Sequence, residues 1–144
     1  MNAWLGVVSR AHVQRGVAGG FAQLCHGKAL PLRRMRPGDW LVYYSPSLEL
    51  GGAPLRAFTA LGQLEDDEEF PFDMGGGFVP FRRRVRYLPG REVPLEAVKS
   101  RLELCAPAHW SMHLRRGHLP LSIGDLRIVA AAMGARVSRA VNAA

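Results

Sequence analysis

Apolar residues fall in short runs separated by turn-forming residues. Trp4 to Ser9, with Val7 and Val8, predicts a strand. Ser9 stands where an N-cap would open a helix over Arg10 to Val17, stopped by Gly19 and Gly20. Pro37-Gly38-Asp39 signals a turn, and Trp40 to Tyr44 after it is dense in the aromatic and β-branched residues that suit a pleated, half-buried surface. Pro46 to Pro54, with Gly51 and Gly52, predicts a loop before a strand over Arg56 to Leu64. The five consecutive acids from Glu65 to Glu69 repel one another, so they predict an exposed turn holding two strands apart.

From Phe78 to Leu88 the pattern alternates: Val79, Phe81, Val85 and Tyr87 fall on one face, Arg82, Arg84 and Arg86 on the other. Arg83 alone stands among the apolar positions. Pro94 to Leu102 predicts a helix with proline in its first turn. Ser122 to Asp125 predicts a capping box opening another, in which Leu126, Val129, Ala130 and Met133 recur at helical spacing until Gly134. From Ala135 onward no packing pattern is visible, so the expected organisation is one domain over residues 1–136 and a flexible tail over 137–144. Strands two to four are not separated by helices, which argues against a doubly wound parallel fold. The expected class is mixed α+β, a curved mixed sheet or small β-barrel flanked by short helices.

Composition adds a charge argument. Nineteen Lys and Arg against twelve Asp and Glu give a net charge of +7 over 144 residues. The corresponding pI of about 10.4 points to a polyanionic partner, DNA or RNA. Arginine bias in the genome is the competing explanation, since Lys28 and Lys99 are the only lysines. No apolar run reaches membrane-spanning length and the first residues lack the pattern of a secretion signal. Cys25 and Cys105 are therefore read as reduced thiols, and the expected location is cytoplasmic.

Three chemical constellations have structural explanations beside the functional ones. Cys25 beside His26 suggests a thiolate hydrolase, but catalytic pairs meet in space and no orienting third residue is evident. Cys105, His109 and His113 recur every fourth residue, a zinc-compatible spacing on a helix that Pro107 argues against. Gly75 to Gly77 lacks the spacing of a phosphate-binding loop and predicts a mobile one.

Five segments in order, WLGVVS, FAQLCHGK, PGDWLVYYSP, PFRRRVRYLP and LRRGHLPLSIGDLRIVAAAMG, together resemble the EVE domain, a PUA-like module related to the ASCH and YTH domains. The resemblance spans most of the chain. It implies a small barrel that receives a flipped, modified base such as a methylated one, without catalysis or cofactor. Such a pocket needs flat walls, hydrogen-bonding groups and cations. Phe21, Trp40, Tyr43, Tyr44 and Phe78 are the candidate rings; Ser9, Gln23, His26 and Ser45 the candidate polar contacts; Lys28, Arg82, Arg84 and Arg86 the candidate phosphate contacts. Because alternation puts Trp40 and Tyr44 on the face opposite Tyr43 and Ser45, the rings cannot all line one cavity. An inward Arg83 needs an anion, either a buried carboxylate such as Asp39 or a ligand in the pocket. The expected site is a cleft between the Phe21–Lys28 loop and the strands carrying Trp40 and Arg83. A small-molecule sensor using the same pocket and a Cys25/His26 hydrolase are the alternative functions.

Overall fold

In the computed structural model, which describes residues 1–137, the fold is organised around strand β3 (Trp40–Ser47). Every residue from Trp40 to Ser45 is buried, because both faces of this strand are covered. Trp40, Val42 and Tyr44 enter one core with Leu5, Phe58, Leu126 and Val129. Leu41 and Tyr43 enter a second with Leu24, Leu32, Leu64 and Val85. The unbroken apolar run WLVYY is what two-sided burial demands, each large side chain contributing about 1.5–3 kcal/mol.

The remaining strands are β1 (Ala3–Val7), β2 (Phe21–Ala22), β4 (Pro54–Leu64), β5 (Phe70–Pro71), β6 (Phe81–Tyr87), β7 (Val93–Pro94) and β8 (His118–Leu121). They join β3 in one mixed sheet of order β2-β6-β4-β3-β1-β8, with β5 added to β6 and β7 to β4. β1 runs parallel to β3, Ala3 opposite Trp40, and the other pairs are antiparallel. Helices α1 (Arg10–Gly19), α2 (Ala29–Arg33) and α3 (Ile123–Met133) flank the sheet, giving the expected mixed α+β class.

Local chemistry sets the element ends. Ser9 Oγ accepts the His12 N–H to start α1, and Gly20, at φ 69°, ends it by donating its N–H to the Gly16 carbonyl. The Pro-Gly-Asp turn is pinned by the Asp39 carboxylate, which accepts from Asn2 N, Arg36 N and Trp4 Nε1 at 2.9–3.0 Å. Ser122 Oγ caps α3 through Asp125 N, but the Asp125 carboxylate does not turn back to close a box. It accepts from Glu103 N and Leu104 N instead, tying α3 to the 3-10 turn Glu103–Cys105.

Several expectations are corrected. Pro94 to Leu102 is not an α-helix: Val93 and Pro94 pair with Phe58 and Ala57, and two 3-10 turns follow, broken at Val98 by φ −127°. The Pro46–Pro54 loop shrinks to residues 48–53 because β3 runs through Ser47. Ala135 and Val137 pack on the first core instead of fraying, while residues 138–144 of the expected tail lie outside the described residues. The stretch carrying Cys105, His109 and His113 is broken into 3-10 turns, and no group of three metal-binding side chains gathers among the described residues. Among these residues, no helix is long and apolar enough to cross a membrane.

Candidate nucleic-acid interface

Glycine geometry shapes the segment after α1. A Cβ at Gly19 would stand 2.6 Å from Cε1 of Phe21, so only glycine leaves room for that ring. Further on, Cys25, His26 and Gly27 take φ values of 49°, 61° and 81°, three successive left-handed residues. The turn is closed by Gly27 N donating to the Leu24 carbonyl at 2.9 Å. Two non-glycine residues in this region cost on the order of 1–3 kcal/mol each, strain of a kind that concentrates at functional sites. The turn leaves His26 and Lys28 exposed, while Cys25 Sγ donates to the Arg116 carbonyl at 3.5 Å.

This turn borders a cleft of about 730 Å³. Its other walls are the start of α1 with Ser9, His12 and Arg15, the β5–β6 loop with Met74 and Phe78, Arg82 of β6, and Leu114–Gly117 before β8. Among the described residues that line it, five are cations, Arg15, Lys28, Arg82, Arg115 and Arg116, and none is a carboxylate. Arg82 is buried, its guanidinium carbon 3.8 Å from the Phe21 ring centroid and 3.9 Å from that of Phe72. Its Nε donates to Gln23 Oε1 at 3.1 Å. His12 Nε2 lies 2.7 Å from the Gln23 carbonyl; burial lowers its pKa, so the neutral ring donates there. Burial pushes the Cys25 thiol up, partly opposed by Lys28 and Arg34.

Seven of the candidate pocket and phosphate residues meet in this cleft, Ser9, Phe21, Gln23, His26, Lys28, Phe78 and Arg82, with Cys25 beside them. Trp40, Tyr43 and Tyr44 do not, since two-sided burial of β3 commits them to the cores. Ser45 is also buried, bonded to Thr59 Oγ1 at 2.8 Å. Arg83 is a buried ion pair outside the cleft, and its partner is Asp66, at 2.6 Å from Nε, because Asp39 is already committed to the turn. Its Nη1 donates to the Leu32 and Met35 carbonyls at 2.7 Å, and its Nη2 to the Asp66 carbonyl. The acidic run is therefore an anchor at Asp66 as well as an exposed turn.

The arginine row divides. Arg82 is covered by Phe21 and Phe72, whereas Arg84 and Arg86 stay exposed outside the cleft, Arg84 over the Phe70 ring and Arg86 bonded to Gln63. His12, Arg15, Met74, Arg115 and Arg116 are lining residues that sequence reasoning missed. The basic pair Arg115-Arg116 before Gly117, which turns at φ 74°, was the available signal.

The EVE domain family model matches residues 2–132. The chain belongs to the EVE domain family. This EVE domain is 44% identical over 139 residues to the UPF0310 protein YdcG of Bacillus subtilis (strain 168), covering 95% of each chain. It is 46% identical over 136 residues to UPF0310 protein msl3206 of Mesorhizobium japonicum, covering 92% of this chain and 91% of the relative. Similar solved structures include a hypothetical protein from Leishmania major, with TM-score 0.60, 14% identity and 93% and 95% of the two chains covered. Another is human THYN1 in complex with DNA containing 5-methylcytosine, with TM-score 0.52, 12% identity and 95% and 100% covered. At these identities the likeness is one of fold: the EVE domain here is PUA-like, with a curled half-barrel sheet.

Proposed function

We propose that this EVE domain is a non-catalytic nucleic-acid-binding module whose cleft receives a base turned out of its strand, in particular a modified base such as a methylated one. The observation that carries this reading is the cleft lining: five cations, no carboxylate, and apolar rings beside them. Cations draw the backbone in, and a ring with a free face stacks the base. Phe78 is the half-exposed ring of the lining, whereas Phe21 already holds Arg82 against one face. The similar human THYN1, solved with 5-methylcytosine DNA, supports a nucleic-acid ligand for this fold. A half-buried thiol with a raised pKa supports a packing role for Cys25 over a nucleophilic one.

Fluorescence anisotropy with single-stranded and duplex oligonucleotides, with and without modified bases, tests the reading. Stacking is worth about 1–3 kcal/mol per base, so Phe78→Ala is expected to weaken binding at least several-fold. Lys28→Ala is expected to flatten the salt dependence for every sequence. Absence of binding to the whole panel, or wild-type affinity and salt slope in both variants, overturns the proposal. Free nucleosides that compete as well as oligonucleotides would instead mark a small-molecule sensor.

A further inference from the structure

Neighbouring arginines on β6 solve the same problem in different ways. Arg83 is fully buried and each of its donor nitrogens has a protein acceptor, including the Asp66 carboxylate. Arg82 is 7% exposed, yet among the described residues its one protein hydrogen bond runs from Nε to Gln23, and Nη1 and Nη2 have no protein acceptor. Neither nitrogen is sealed in the interior, and Arg82 lines the cleft. A cation removed this far from water without a counter-ion is costly.

The surroundings decide what kind of group completes it. The Phe21 and Phe72 rings both lie within 4 Å of the guanidinium carbon, contacts that favour approach of a ligand along the free N–H edge. Gln23, itself buried, fixes Nε and thereby the plane of the fork. An edge-on guanidinium offers two parallel N–H groups, the geometry that pairs with two oxygens of one anion. A neutral base edge would satisfy the donors but leave five lining cations without an opposite charge; a phosphate does both.

We infer that Arg82 is an oxyanion fork in the cleft, holding two oxygens of a nucleotide phosphate inside the site instead of at its rim. The inference rests on reading the cleft as a nucleotide site and adds that the phosphate is recognised there together with the base. A nucleoside monophosphate therefore binds more tightly than the matching nucleoside.

Titration calorimetry with inorganic phosphate, and with deoxynucleosides and their 5′-monophosphates, reads this directly. Wild type is expected to bind phosphate saturably and each monophosphate at least tenfold more tightly than its nucleoside. Arg82→Lys keeps the charge but loses the fork, and is expected to lose at least tenfold of the phosphate affinity. Gln23→Glu sets a carboxylate against the guanidinium and is expected to abolish phosphate binding, while Arg84→Gln, outside the cleft, leaves it unchanged. Circular dichroism confirms that each variant is folded; if one fails to fold, the other carries the comparison, and the monophosphate-to-nucleoside ratio is read on wild type. Nucleosides that bind as tightly as monophosphates, or phosphate affinity unchanged in Arg82→Lys, overturn the fork. Oligonucleotide binding that survives Arg82→Lys unchanged does so too and leaves the nucleic-acid reading standing. Saturable phosphate binding without any oligonucleotide binding overturns that reading and leaves the fork.

Discussion

Replacing Asp66 by alanine, with the adjacent Asp67→Ala as control, isolates the buried ion pair of β6, since both variants remove one negative charge from the same acidic run. Asp66 supplies the anion for Arg83, whose side chain is 1% exposed, and its other carboxylate oxygen accepts the Arg84 N–H at 3.0 Å. Removing one partner of a buried pair costs about 3–5 kcal/mol. The Asp66 side chain is 22% exposed, which lets water reach the vacated position, so the lower end, about 3 kcal/mol, is expected. Asp67 is exposed, and its replacement is expected to stay within about 0.5 kcal/mol of wild type. Urea unfolding followed by circular dichroism at neutral pH measures both. Because Arg83 does not line the cleft, ligand affinity of the folded Asp66→Ala protein should be unchanged. A difference of less than about 1 kcal/mol between the two variants would falsify the assignment of Asp66 as the essential counter-ion.

Three further outcomes are expected. His118 is buried and stacked on Trp4 at 4.8 Å, its two ring nitrogens lack partners among the described residues, and burial lowers its pKa to about 4. Its contribution is intact above the unfolded value of about 6.5 and is lost as pH falls toward about 4, up to about 3 kcal/mol; His118→Phe should flatten this part of a urea-stability profile, and an unchanged profile refutes it. A Cβ at Gly27 would lie 2.4 Å from Pro80 Cβ, whereas one at Gly75 meets nothing within 4 Å, although their φ values are 81° and 83°. Gly27→Ala should therefore lower the melting temperature clearly more than Gly75→Ala, and equal losses would show that Pro80 moves freely. With its pKa raised by burial, Cys25 should react slowly with a disulfide reagent at pH 7 and faster only at alkaline pH; rapid reaction at neutrality would revive the nucleophile.

The parts of the fold legible in the sequence are those set by neighbouring residues. Ser9 and Gly20 bound α1, Ser122 and Gly134 bound α3, and Pro37-Gly38-Asp39 precedes β3, all through contacts a few residues apart. Arg83 was also legible as inward-facing, because an arginine out of step with strand alternation needs an anion. Its partner was not legible, because the choice between Asp39 and Asp66 depends on which carboxylate the folded chain has already used. The rings of β3 were misplaced for a similar reason: alternation divides them between faces but does not say that both faces are covered. Arg82 separates from Arg84 and Arg86 because Phe21 and Phe72, distant in sequence, close over it. The missed lining residues His12, Arg15 and Arg116 likewise reach the cleft from segments whose convergence no local pattern records.

The position of β1 between β3 and β8 has a consequence for how the protein comes into being. Among the described strands β1 is made before the others, and one of its edges is covered once Trp40–Tyr44 has followed. The other edge waits for His118–Leu121. Arg115 to Gly117, which finish the cleft, are made just before that last strand. A chain interrupted earlier has an open strand edge prone to association with other chains, and it lacks one wall of its binding site. Competence to bind and protection from aggregation thus arrive together, with β8.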